Sequence, residues 1–198
     1  LLTTMHIDSG SLHKIMTNTS FAGALLREAN LEGTNLTGVD LQGADLQDAN
    51  LQGANLDSAN LSFANLWGAN LHQAHLNETN LKRADLRWSI LNEADLEKSD
   101  LKEADLTSAQ LRKTNLRGAI LKWADLNGAS LNEADLTGAD MFRSNLVRTQ
   151  MTGTILNAAN LSLTNMMEAN LTNADLTGTT LHDAVVSNKN WLTLLAEW

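Results

Sequence analysis

The chain is 198 residues long, carries a net charge of −9 and contains neither cysteine nor proline. That length suits one domain, and the missing cysteines exclude a disulfide framework, thiolate catalysis and zinc fingers. The acidic balance speaks against nucleic acid as a partner and for solubility, and no apolar run is long enough for a membrane helix or a signal-peptide core.

Residues 1–19 read as an N-terminal cap. Ser9-Gly10-Ser11 precede Leu12, Ile15 and Met16, which share one face of a short helix with Ser9 or Ser11 as N-cap. The first residue is not Met, which fits a mature or trimmed chain.

From Phe21 to Val186 an apolar residue recurs every five positions, in 34 steps without insertion or deletion, and Leu fills 29 of them. Two residues before each stands a small side chain, Ala in 22 cases, and one residue before stands Asp or Asn in 23. Such a fixed short period marks a solenoid. Five matches neither the helical period near 3.6 nor the strand period of 2. It fits two inward residues around one outward residue, followed by two residues that turn a corner. Eleven of the 12 glycines stand at the second corner position, where a type II turn requires positive φ. Where Glu93 or Lys113 stands there instead, a different turn type is expected. One corner per pentad closes most simply as a square.

The tandem Ala-(Asp/Asn)-Leu-x-x pattern, typified by Ala134–Gly138, resembles the pentapeptide-repeat family over residues 20–187. The resemblance implies an all-β fold, a right-handed quadrilateral β-helix with twenty residues per coil. Here that means about eight coils and a rod ~40 Å long at ~4.8 Å per coil, with short helical end segments.

With twenty residues per coil, each outward residue falls on one of four sides, named here for their first central residue: Phe21, Leu26, Leu31 and Leu36. Glu93, Lys113 and Glu133 then stack on the Leu31 side, and Arg83 meets Glu103 on the Phe21 side. Lys82, Lys102 and Lys122 form a like-charged row that Asp100 and Glu103 offset. Asp85, Asp105 and Asp125 form a column, with Asp45 further down, that is open to a cation or a basic partner but whose carboxylates are expected first to accept hydrogen bonds from their own turns.

No catalytic constellation emerges, and no cofactor or metal site is expected. His72 and His75 are separated by a corner, Ser89, Ser99 and Ser144 are inward fillers, and the glycines never cluster ahead of a helix. The chain reads as a non-enzyme.

Large apolar residues at the corners all map to the adjoining Phe21 and Leu26 sides: Phe63, Trp67, Trp88, Trp123, Phe142, Val147, Leu163 and Met167. Arg83, Arg87, Arg143 and Arg148 share those sides, and Arg87 is expected to stack on Trp67. Exposed Trp beside Arg is the pairing enriched where partners dock.

Residues 188–198 leave the pattern. Trp191, Leu194, Leu195 and Trp198 form one helical stripe, which caps the last coil or joins two chains into a homodimer. The chain ends inside this apolar run, so the native protein is expected to continue.

The reading is a bacterial interaction scaffold binding an unidentified protein, without nucleic acid or membrane insertion. The cytoplasm, a bacterial periplasm or a thylakoid lumen are all compatible compartments. The alternative, which the resemblance implies, is a DNA mimic that binds gyrase. Duplex DNA would carry ~24 charges over ~40 Å, against a net −9 here, and the central residue is Leu where that subgroup often has Phe.

Overall fold

The computed structural model describes residues 20–187. The end segments 1–19 and 188–198, with the expected helical cap and the Trp191, Leu194, Leu195 and Trp198 stripe, lie outside the described residues. Between them the chain is a four-sided parallel β-helix, because each pentad pairs with the one twenty residues on, as Asn30 does with Asn50 and Asp85 with Asp105. Each pentad contributes a single bridging residue, since a corner every five residues leaves no room for a longer strand. Among the described residues only the last pairing grows to two residues, in parallel β1 (Asn165–Met166) and β2 (Val185–Val186).

The pentad can be derived from its amides, all five of which must find an acceptor. Asp125–Ala129 shows how. Asp125 N–H donates to the Ala104 carbonyl of the coil before (2.9 Å), Leu126 to Asn145 of the coil after (2.8 Å), and Gly128 to Val147 (2.9 Å). Ala129 N–H closes the turn onto Leu126 (2.9 Å). The remaining amide, Asn127, donates to Asp125 Oδ1 at 2.9 Å, which is why Asp or Asn precedes the leucine. Proline would remove one of these donors.

At three pentads where the preceding residue is not Asx, the acceptor comes from one coil earlier. Asn77, Arg112 and Thr152 follow His75, Gln110 and Gln150, and their amides donate instead to Asp57, Asn92 and Asn132 at 2.8–2.9 Å. The Asx oxygens also knit coils together, as when Asn145 Nδ2 donates to Asp125 Oδ1 at 3.0 Å.

Inside, the central leucines and the small residues beside them form one continuous core, with the leucines from Leu36 to Leu136 fully buried. Ser89, Ser99 and Ser144 are buried as expected. Ser89 and Ser99 hydroxyls donate to the Leu86 and Leu96 carbonyls, while Ser144 Oγ has no partner.

One expectation about the corners fails. Every described residue at the second corner position has positive φ, Glu93 and Lys113 included, both at 59°. The cause is the cross-coil bond of that amide, as in Glu93 N–H to the Arg112 carbonyl at 2.9 Å, which imposes one backbone geometry whatever the side chain. The left-handed conformation costs a non-glycine residue roughly 1–2 kcal/mol.

Several carboxylates are held below their ordinary range, and the sign of the pH dependence follows. Hydrogen bonds from Arg87 lower Asp85, those from Arg112 lower Glu133, and those from Arg148 lower Glu168. For Asp135 burial pushes upward but is outweighed by the Thr137 hydroxyl and amide and by Arg117. A carboxylate with a lowered folded-state pKa stabilises the fold above its unfolded value near 4 and loses that contribution as pH falls through the folded value. The melting temperature is therefore expected to be level from about pH 7 to 5 and to drop below about pH 4. A loss centred between pH 5 and 7 in thermal scans would assign the effect to histidine instead.

Candidate functional site

A side comprises a central residue, the outward residue before it and the two corner residues after it. Cations at the first corner position, Arg87 excepted, follow a rule of reach. Arg27, Lys82, Arg117 and Lys122 each pair with the Asp eighteen residues on, Asp45, Asp100, Asp135 and Asp140, at 2.9–3.5 Å. Where no carboxylate stands at that distance, the side chain swings on to the residue twenty-one ahead. Arg112 meets Ser130 there and so reaches Glu133 at 2.7 Å. Lys102 meets Ile120, and its Nζ comes to lie 4.9 Å from the centre of the Trp123 ring.

This exception sits in the middle of a ladder on the Phe21 side. Arg83 lies over Phe63 at 5.3 Å and pairs with Glu103 at 3.3 Å, which also meets Lys102 Nζ at 3.7 Å. Trp123 contacts Phe142 edge to face at 6.1 Å and 89°, and Arg143 lies over Phe142 at 5.4 Å. Leu163 is exposed one coil beyond Arg143. Among the described residues Arg143 is the one Lys or Arg with no carboxylate partner.

The expected placement of the aromatic residues at the surface holds in outline. Trp88 is 60 % exposed, Phe63 51 % and Trp123 43 %, with Trp67, Leu163 and Met167 less so. Phe142 and Val147 are half-buried. The expected stacking of Arg87 on Trp67 is not what the structure shows. Asp85 takes the Arg87 guanidinium in a fork, from Nε at 2.8 Å and Nη2 at 2.6 Å, with Asp105 at 3.6 Å. A charge-assisted pair of bonds outcompetes an exposed cation–π contact. The Arg87 pKa is raised accordingly, chiefly by the Asp85 hydrogen bonds.

Sequence reasoning missed Ile120 and Ile155, both exposed, because it searched only the corners. The signal was present, since Ile replaces the usual Asx. It also read Lys102 as one of three equivalent lysines. The stacked pairs were legible: Lys113–Glu133 at 3.7 Å and Arg83–Glu103 are both formed, though Glu93 binds Gln73 at 2.9 Å.

Charge is unevenly shared among the sides. On the Phe21 side Lys82, Arg83, Lys102, Lys122 and Arg143 face Asp40, Asp100, Glu103, Asp140 and Asp183, a balance of zero. The Leu26 side sets three cations against seven carboxylates and the Leu36 side two against six, so each of the flanking sides carries −4. The Asp column on the Leu26 side serves its turns, as Thr107 N–H to Asp105 Oδ1 at 3.0 Å shows. Among the described residues no group of three or more His, Asp or Glu is placed to hold a metal, and no helix is long and apolar enough to cross a membrane.

A four-sided parallel β-helix built on a five-residue repeat, with one amphipathic stripe, defines a class of repeat protein. The pentapeptide repeats profile matches in eight copies, over residues 15–53, 54–92, 79–118, 119–157 and 144–183. The chain belongs to the pentapeptide-repeat family. It is 33 % identical to HetL, a pentapeptide repeat protein involved in heterocyst differentiation regulation in the cyanobacterium Nostoc sp. strain PCC 7120, over 91 % of this chain and 95 % of that one, with a TM-score of 0.38. It is 19 % identical to QnrB1, a plasmid-mediated fluoroquinolone resistance protein, over 87 % and 94 %, TM-score 0.44. A pentapeptide repeat protein of the Arabidopsis thaliana thylakoid lumen is 28 % identical over 55 % and 66 %, TM-score 0.40. No curated protein matches.

Proposed function

We propose that this chain is a non-enzymatic rod, a right-handed square β-helix of about eight coils, that holds a protein partner against its Phe21 and Leu26 sides. The observation that carries the reading is the exposure of Phe63, Trp88 and Trp123 at positive-φ corners. Every non-glycine corner carries the same positive φ, so what sets these three apart is the large apolar surface they leave in water, which a polar side chain at the same corner would not expose. Arg83, Arg143 and the half-buried Phe142 supply the cationic and packed surroundings of a docking anchor, and Trp67, Arg87, Leu163 and Met167 extend it. The segment 188–198 caps the last coil or pairs two chains.

The test is the double change Trp67→Ser with Trp123→Ser, measured by calorimetry against a partner captured from the native host. Affinity is expected to fall by at least about tenfold, or roughly 1.4 kcal/mol, with the melting temperature held within a few degrees. Unchanged affinity, with loss on Lys98→Glu on the Leu36 side, would move the binding surface.

The −4 charge on each of two opposite sides favours a second reading, a DNA mimic acting on gyrase. The balanced Phe21 side counts against it, because a mimic needs acidic charge all round. A supercoiling assay separates the two: a mimic alters gyrase activity at low concentration and a scaffold does not.

A further inference from the structure

The geometry points to an acidic amphipathic helix as the partner segment, laid along the rod axis over the cluster Lys102, Trp123, Phe142 and Arg143. This rests on the proposed docking surface and names the chemistry that fits it. Two of the four residues carry positive charge that the fold leaves largely uncommitted. Arg143 has no carboxylate partner among the described residues, and Lys102 has only Glu103 at 3.7 Å, which Arg83 holds more closely at 3.3 Å. Both cations are parked on the aromatic rings, at 4.9 and 5.4 Å. Ile120 stands where Asp would otherwise neutralise Lys102, adding apolar surface beside the uncommitted charge.

Between Phe63 and Leu163 the Phe21 side thus has two more cations than carboxylates, on a chain whose net charge is −9. A carboxylate-bearing ligand is the complement. A duplex polyanion is not, because the acidic sides on either flank would repel it. Cations focused between acidic flanks select a narrow ligand.

Spacing decides its conformation. Successive coils repeat at ~4.8 Å. An α-helix presents one turn every ~5.4 Å, so its side chains at i, i+4 and i+7 stay near successive coils, and flexible Lys and Arg stems absorb the small drift. A strand lying along the rod presents same-face residues every ~6.7 Å and falls out of step after one or two coils. The column from Phe63 to Leu163 spans five coil steps, ~24 Å, which corresponds to a helix of ~16 residues.

The experiment titrates the intact chain with a labelled synthetic peptide of about 16 residues. Its sequence places glutamates at every third or fourth position, with leucines beside them, in an alanine background. Comparators are the same peptide with lysine for glutamate, an isomer interrupted by proline, and a short DNA duplex. Anisotropy is expected to show the acidic helix binding at least about tenfold more tightly than either peptide comparator and more tightly than the duplex. Lys102→Gln with Arg143→Gln, which keeps both rings, is expected to weaken binding by about tenfold. Lys98→Gln with Arg117→Gln on the Leu36 side is expected to leave it unchanged. Equal binding of the lysine or proline-interrupted peptide, tighter binding of the duplex, or indifference to the Lys102/Arg143 change each overturns the proposal. Thermal melts of both variants show whether the coil is intact. If the acidic helix fails to bind while the Trp67/Trp123 change still releases the captured partner, the partner chemistry is wrong and the docking surface stands. If both fail, the surface itself is wrong.

Discussion

Leu101→Asp is expected to lower the melting temperature by roughly 8–16 °C, the shift that about 4 kcal/mol produces in a domain of this size. Leu101 is fully buried, between Leu81 and Leu121 of the neighbouring coils, which are fully buried as well. The carboxyl would lose the leucine's packing, worth about 2–5 kcal/mol, and no acceptor or donor in that column is free to receive it. It would therefore bury as the neutral acid with its pKa raised. The surface comparison is Lys98→Ser, whose side chain is mostly solvated and whose loss should cost at most about 0.5 kcal/mol. Lys102, the residue next to Leu101, is a poor control because its ammonium rests on Trp123. Equal melting shifts for Leu101→Asp and Lys98→Ser would contradict the inward and outward assignment.

Deleting the single residue Thr107 is expected to be worse than deleting twenty. Every cross-coil partner lies at a fixed separation, as in Leu106 N–H to the Asp125 carbonyl and Asp125 N–H to Ala104. Removing Thr107 sets each later pentad one position out of step with those before it. Leucines then align with outward Asx positions, and the turn amides lose their acceptors. Cooperative unfolding of the region after the deletion should disappear, and protease should cut there. Excising Asn35–Ala54 removes one whole coil and joins Thr34 to Asn55 with the pattern intact, since Asn30 and Asn35 pair with Asn50 and Asn55 in the same register. That variant should melt cooperatively, lower only by the loss of one inter-coil interface. Matched denaturant curves followed by tryptophan fluorescence decide between the two outcomes.

The solenoid was legible because its period is written in residue identity. Leu and Ala mark the inside, and Asx supplies the acceptor that the turn amide needs. The corners were misread at Glu93 and Lys113 because residue preference suggested a freedom that the coil-to-coil hydrogen bonds remove. Glycine in eleven corners hinted at the geometry but did not enforce it.

The candidate surface was legible as a location but not as a set of contacts. Trp123 and Arg143 could be placed on one side from the period alone. The choice Arg87 makes between Trp67 and Asp85 depends on side-chain reach, which spacing does not encode. Lys102 was missed because its contact is decided in the next coil. Its difference from Lys82 and Lys122 lies in a residue eighteen positions away, Ile120 in place of Asp.

The uniform corner carries an evolutionary consequence. Gly, Glu, Asp, Ser, Phe, Gln, Arg, Trp, Lys, Ala, Leu and Asn all occupy it in one backbone conformation. The backbone there is set by neighbouring coils, so the side chain is free to drift under selection for recognition alone. Core and display thus become two alphabets written on one chain, and the second can be revised letter by letter without refolding the first. A lineage can change what such a rod binds by exchanging one non-glycine corner residue for another, each costing about as much as an ordinary surface mutation.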